Sequence, residues 1–214
     1  MSPTPAAVTP FPSVLVVGGC GFLGHHIVRL LLEQHGGEGT ISVLDLHTNH
    51  NRFPGVTYYN GDITKLEEVR AAYRGSGAQV VINTVSPVTE LAGMEELYMK
   101  VNVEGTKVLL EVAAQERVPV FVYTSSAGVV TDNVHDLINV DETYPVNPNP
   151  DAYNNSKVKK KKKNSLKKKK KSYSGGESLP PNIPTSGGEG FFPIIILLFF
   201  FIFIFIFIFI SSIF

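Results

Sequence analysis

Three groups of residues have types and spacings that could do chemistry. Gly18, Gly21 and Gly24 stand three apart in VVGGCGFLG, between an apolar run and a helical pattern. Such a turn can bend tightly, let a pyrophosphate approach bare backbone, and aim the first amides of a helix at negative charge. Asp45 follows Gly24 by twenty-one residues, at the end of the next apolar run. A carboxylate there would either accept hydrogen bonds from the ribose hydroxyls of an adenosine, repelling a 2′-phosphate, or cap a loop. The first alternative favours NAD over NADP, with His47 and Arg52 close enough in sequence to soften the preference. Asp62, in GDIT, could face an adenine ring or cap the helix after it. The third group is Tyr153 and Lys157 in DAYNNSK, preceded by Ser126. Positions i and i+4 share a helix face, so the ammonium can lie close to the phenol and favour its ionised form. A phenolate so placed can take a proton from a substrate hydroxyl while hydride leaves to a nicotinamide, and the serine can hold the substrate oxygen. Ser126 is preferred to Ser125 for that task. Cys20, inside the glycine turn, reads as a small filler rather than a redox group.

Alternating strand and helix patterns must position these residues. VLVV (14–17), ISVLDL (41–46), VTYYN (56–60), QVVINT (79–84) and VPVFVYTSS (118–126) read as five strands. Leu23, Ile27, Leu30 and Leu31 form one apolar stripe of a helix that Gly36 and Gly37 stop. Thr64 with Glu67 reads as a capping box opening the helix LEEVRAAY. A longer helix carries Tyr98, Val101, Gly105, Val108, Leu109 and Val112 on one side. Strands joined by helical crossovers predict a doubly wound parallel sheet.

Composition separates this part from the rest. The 214-residue chain has no net charge, yet residues 1–157 hold 9 basic against 17 acidic side chains, and ten lysines crowd into 158–171. Residues 1–12 read as an extended, proline-bearing lead-in without the basic and apolar regions of a signal peptide. Only 13–157 has the mixed composition of a globular domain. The lysine block should stay solvated, and the Gly/Ser/Pro-rich stretch to 190 reads as linker. No aromatic residues are interleaved with the lysines, so nucleic-acid binding is not expected. From 191 to 210 the chain is apolar, with seventeen consecutive Ile, Leu and Phe residues from 194, near the lower limit for a membrane-spanning helix. Two readings stand. One is a tail anchor with a cytosolic-facing domain; the other is read-through of A-rich and T-rich non-coding DNA, which would leave the domain cytoplasmic. With one cysteine, neither an intrachain disulfide nor a cysteine metal cluster can form.

The segments VVGGCGFLGHHIV, YYNGDIT, NTVSPV, VNVEGTKVLLEVA, VYTSSAGVV, INVDETYPV and DAYNNSK resemble the extended short-chain dehydrogenase/reductases, and within them the 3β-hydroxysteroid dehydrogenase group. Val17 departs from the threonine that many relatives place before the glycines. The resemblance implies a Rossmann-type fold and oxidation of the 3β-hydroxyl of a sterol or steroid with NAD or NADP. The substrate expected is a 4α-carboxysterol, with decarboxylation, and no metal is required. By this likeness Ser126, Tyr153 and Lys157 are the catalytic set, Gly18, Gly21, Gly24, Asp45 and Asp62 hold the cofactor, and Ser86 and Pro87 line the nicotinamide side. A sterol-processing enzyme is expected at or on the endoplasmic reticulum membrane. The same motifs fit a nucleotide-sugar epimerase or dehydratase, and a tethered, non-catalytic NAD(P)-binding protein is a third reading. Relatives add two further strands and a sterol-binding region that are not recognisable after Lys157. The expectation is therefore a sheet truncated after the fifth strand and the start of the Tyr/Lys helix, with an unpaired edge and impaired activity.

Overall fold

The computed structural model describes residues 11–34, 40–87, 93–131, 134–136, 138, 140, 144–158 and the backbone of 194–198. The five expected strands form as β1 (Val14–Val17), β2 (Ile41–Asp45), β3 (Thr57–Asn60), β4 (Val80–Asn83) and β5 (Val120–Thr124). All pair in parallel, in the order β3-β2-β1-β4-β5. The order reverses direction between β1 and β4, and a doubly wound sheet opens a crevice at the carboxyl ends of its strands there.

Side chains alternate across this sheet and so feed two cores. Val14 and Val16 join Ile27, Val28 and Leu31 of α1 (Phe22–Gln34) on one face. Leu15 and Val17 join Val69, Ala72 and Tyr73 of α2 (Leu66–Ser76) and Leu109 and Val112 of a second helix on the other. Burying each large apolar side chain stabilises by roughly 1.5–3 kcal/mol, and both faces are covered, which explains why β1 is apolar at every position. Phe11 packs against the first core, so the folded unit begins inside the expected lead-in.

Four expectations are corrected. The long helix is not continuous: α3 (Glu95–Tyr98) runs into a π segment (Met99–Gly105) before α4 (Thr106–Gln115). The wider turn buries Asn102, while Val101 and Val108 are only partly buried. The capping box does not form. Asp62 Oδ1 instead accepts from the Thr64 amide and hydroxyl, both at 2.8 Å, and Glu68 Oε2 accepts from the Asp62 amide at 2.7 Å. These bonds order the turn before α2, whose first residue is Leu66 rather than one placed for Thr64 to cap.

The third and fourth corrections concern the apolar tail. Ile194–Leu198 is a strand, β6, parallel to β5 with Val120 opposite Ile194 and Thr124 opposite Leu198. Among the described residues the sheet therefore has six strands, with β6 paired along the edge of β5. An edge strand presents a row of unpaired amides and carbonyls, and a β-prone apolar segment satisfies them by pairing. The start of the expected spanning helix is thus strand, and among the described residues no helix is long and apolar enough to cross a membrane. The remainder of that segment, the lysine block and the linker lie outside the described residues.

Candidate functional site

The glycine turn joins β1 to α1 at the point where the strand order reverses. Gly18 has φ +83°, and a Cβ there would lie 2.8 Å from Thr84 Oγ1. Thr84, just past β4, donates from that oxygen to the carbonyls of Val17 (2.9 Å) and Gly18 (3.2 Å), locking the two strand ends together. A Cβ on Gly24 would collide with the Gly18 carbonyl and lie 2.7 Å from Gly19 Cα, so helix and turn pack backbone to backbone. Gly21 differs from both. It is exposed, and a Cβ there would meet nothing nearer than the Gly18 carbonyl at 3.3 Å. At Gly21 the turn leaves bare, exposed backbone at a helix N-terminus, which fits a dinucleotide pyrophosphate.

Asp45 ends β2 beside this turn. Its Oδ2 accepts from the Cys20 amide at 3.0 Å and its Oδ1 from the His47 amide at 3.2 Å. The loop-capping alternative is thus realised, with lone pairs left on both oxygens. Arg52 lies 4.4 Å over the Tyr58 ring and donates to the Thr48 carbonyl. Cys20 is fully buried, and burial, reinforced by the charge of Asp45 and opposed by Arg52, pushes its thiol up to about 11. A thiol so raised is protonated and inert, in keeping with a filler. Asp62 caps no amide of α2: its carboxylate instead ties down Thr64 in the turn before that helix. Ser86 is exposed after β4, its hydroxyl 3.5 Å from the Pro87 carbonyl.

Tyr153 and Lys157 lie on α5 (residues 152–158). Asp151 starts this helix: its Oδ1 accepts from the Asn154 amide at 2.7 Å, its Oδ2 from Asn154 Nδ2 at 2.7 Å, and its carbonyl from the Asn155 amide. That is an N-cap arrangement. Lys157 is 4% exposed, with Nζ 5.6 Å from the Tyr153 ring centroid and 5.3 Å from that of Tyr123 on β5. Burial lowers its ammonium to about 8. Two ring faces within about 6 Å offset part of the desolvation of the charge. Burial, then the charge of Tyr153, pushes the Tyr123 phenol upward. Tyr98 meets Tyr153 edge to face at 5.7 Å.

Ser126 extends from β5 and caps a short turn (Ala127–Val129), its Oγ accepting from the Gly128 amide at 3.1 Å. The bond leaves the hydroxyl proton for another acceptor. This turn abuts α5: a Cβ on Gly128 would fall 2.7 Å from Asn154 Nδ2, and Val129 and Val130 cluster with Val158. The fold therefore brings the Ser126 turn, Tyr153 and Lys157 to one corner at the end of β5.

Tyr123 and Asn102, both of this corner, have no counterpart among the sequence-derived candidates. Asn102, in the π segment, donates from Nδ2 to Ser156 Oγ at 2.9 Å, and Ser156 donates in turn to the Tyr153 carbonyl at 2.6 Å. Thr106 Oγ1 donates to the Asn102 carbonyl at 2.7 Å, and Asn102 Oδ1 is buried with no hydrogen-bond partner among the described residues. The available signal was a polar residue interrupting the apolar stripe of VNVEGTKVLLEV.

Residues 15–171 match the model of the 3-beta hydroxysteroid dehydrogenase/isomerase family. The sterol-4-alpha-carboxylate 3-dehydrogenase, decarboxylating, of Schizosaccharomyces pombe is 42% identical over 154 residues, covering 70% of this chain and 44% of the relative. The 3 beta-hydroxysteroid dehydrogenase type 7 of Rattus norvegicus is 41% identical over 136 residues, covering 60% and 40%. Among solved structures, the UDP-glucose 4-epimerase of Thermus thermophilus in complex with NAD superposes with a TM-score of 0.63 at 28% identity, covering 73% of this chain and 51% of that one. The chain spans less than half the length of these curated relatives.

Proposed function

The chain belongs to the 3-beta hydroxysteroid dehydrogenase/isomerase family, and from that premise we propose that it serves NAD-dependent oxidation of the 3β-hydroxyl of a sterol or steroid, specifically a 4α-carboxysterol that then loses CO2. The observation that carries the reading is Lys157, buried over the Tyr153 ring on the helix that abuts the Ser126 turn. The relatives named for sterol-4-alpha-carboxylate dehydrogenation support the substrate class, and NAD-bound structural neighbours support the cofactor.

When bound, NAD supplies the hydride acceptor. The bare backbone at Gly21 and the first amides of α1 would hold its pyrophosphate, and the free lone pairs of Asp45 its adenosine ribose, which favours NAD over NADP. Ser86 would border the nicotinamide, and Asp62 would act on the adenine side through the turn that it orders. Ser126 donates its hydroxyl proton to the substrate oxygen, holding it beside Tyr153. Tyr153, held as a phenolate by the Lys157 ammonium, then accepts the 3β-hydroxyl proton and becomes the neutral phenol. The product is a 3-ketone beside a 4-carboxylate. The electron pair of the breaking C–C bond passes into that ketone as CO2 leaves, so decarboxylation has an internal sink.

With less than half the length of its relatives present, the expected result is impaired formation of NADH from NAD and a 4α-carboxysterol by the purified chain, abolished by Tyr153→Phe. A Tyr153→Phe chain as active as the parent would contradict it. The likeness to UDP-glucose 4-epimerases favours a second reading, and interconversion of UDP-hexoses without reaction of the sterol would establish that one instead. Because sterols partition into bilayers, we also place the working site at a membrane surface such as the endoplasmic reticulum, facing the cytosol. Failure of the chain to float with sterol-bearing liposomes would reject that placement.

A further inference from the structure

The loop after β2 does more than present Asp45. Asn51 has left-handed backbone, φ +50°, which is uncommon outside glycine. In that conformation its side chain and its carbonyl both turn toward the glycine turn. Nδ2 donates to the Cys20 carbonyl at 2.8 Å, and the Asn51 carbonyl accepts from His25 Nδ1 on α1 at 3.2 Å. The loop is anchored on both sides of this contact. Phe53 stacks on His25 at 4.5 Å with an interplanar angle of 18°, and its amide donates to the Tyr58 hydroxyl at 2.8 Å.

The Cys20–Gly21 peptide is consequently fixed at both ends. Its carbonyl is held by Asn51, and its N–H donates to the Gly18 carbonyl at 3.1 Å. The preceding peptide is held as well, through the Cys20 amide and Asp45. These two peptides set the direction in which the first unpaired amides of α1 point.

We infer that Asn51 is a positioning residue for the dinucleotide turn: its amide holds the Cys20–Gly21 peptide so that the first N–H groups of α1 converge on a pyrophosphate. The inference rests on the dinucleotide reading above. Neither the glycine spacing nor the acidic residue after β2 contains it, since it depends on a loop residue thirty-one positions from the carbonyl it holds.

The full chain and its Asn51→Gly and Asn51→Asp variants would be titrated with NAD and with adenosine, and amide exchange at Gly21 would be followed without ligand. Glycine tolerates φ +50° and removes only the donor, so NAD should bind about five-fold more weakly, the worth of one neutral hydrogen bond. Aspartate keeps the left-handed preference but exchanges the donor for a negative charge beside the phosphates, and should weaken NAD by more than about ten-fold. Adenosine, which has no phosphate, should bind all three chains within about two-fold, because the loss is confined to the pyrophosphate-facing amides. Exchange at Gly21 should quicken in the glycine variant. Unchanged NAD affinity in that variant, beside a parent that binds, would overturn the inference alone, as would equal losses for NAD and adenosine. A parent chain that binds no dinucleotide would overturn the cofactor reading, and the Gly21 exchange rate would still report whether Asn51 holds the turn.

Discussion

The two halves of the site are built on different terms. At the glycine turn the constraints are backbone ones: a left-handed Gly18 against Thr84, a Gly24 packed on the backbone of Gly18 and Gly19, and peptides tied to Asp45 and Asn51. At the corner beyond β5 the constraints are side chains drawn from β5, the π segment and α5, and several of them are polar and buried. Lys157 is 4% exposed, Asn102 2% and Ser156 1%. In the first half the contacts that would serve a cofactor are the same ones that pack the turn. The second holds a cation out of water and leaves Asn102 Oδ1 without a partner among the described residues, so the proposed function there opposes stability.

The largest effect that would break this contrast is expected at the turn. Gly24→Ala forces a methyl into the Gly18 carbonyl, and because backbone must move, a loss of at least about 3 kcal/mol in chemical unfolding is expected, together with loss of NAD binding. A variant as stable as the parent would show that helix and turn are not packed as described.

Lys157→Met should act in the opposite direction. Burial lowers the ammonium from 10.5 to about 8, so the folded state sheds a proton that the unfolded chain keeps. The unfolded state binds more protons between those values, and stability rises with pH across that window. The penalty is complete below about pH 8 and gone above about 10.5. At pH 7 the methionine variant should therefore be the more stable by up to about 3 kcal/mol, with the gain fading across that window. It should also lose turnover. Equal stability at pH 7 and 10 for both chains would remove the argued conflict.

A smaller effect sharpens the comparison from the side of α5. Asp151→Ala removes the cap that starts the helix bearing Tyr153, and should cost about 1 kcal/mol while leaving the turn and its NAD affinity intact. A parallel loss of NAD affinity would mean that the two halves are not separable.

The same difference explains what was legible in the sequence. The places of Gly18, Gly24 and Asp45 in the turn follow from spacing and local conformation, so the sequence exposes them, and the five strands follow from apolar runs that tolerate burial on both faces. That Tyr153 and Lys157 are neighbours was legible because i and i+4 share a helix face. Asn102, Tyr123 and Asn51 were not, because their roles depend on partners 54, 34 and 31 residues away in the chain. The Thr64 cap failed because Lys65 takes the N-cap position of α2, while the Thr64 amide and hydroxyl both donate to Asp62. The tail failed because periodicity cannot separate an apolar strand from an apolar helix, and an open β5 edge decided for the strand.

Titration of the full chain with NAD and with NADP tests the account most directly, because turn and carboxylate must act together to give the result. Saturable NAD binding, with NADP clearly weaker and the difference abolished by Asp45→Ala, is what the geometry of the turn predicts. A chain that binds neither dinucleotide, or that binds both alike whatever stands at position 45, would contradict it.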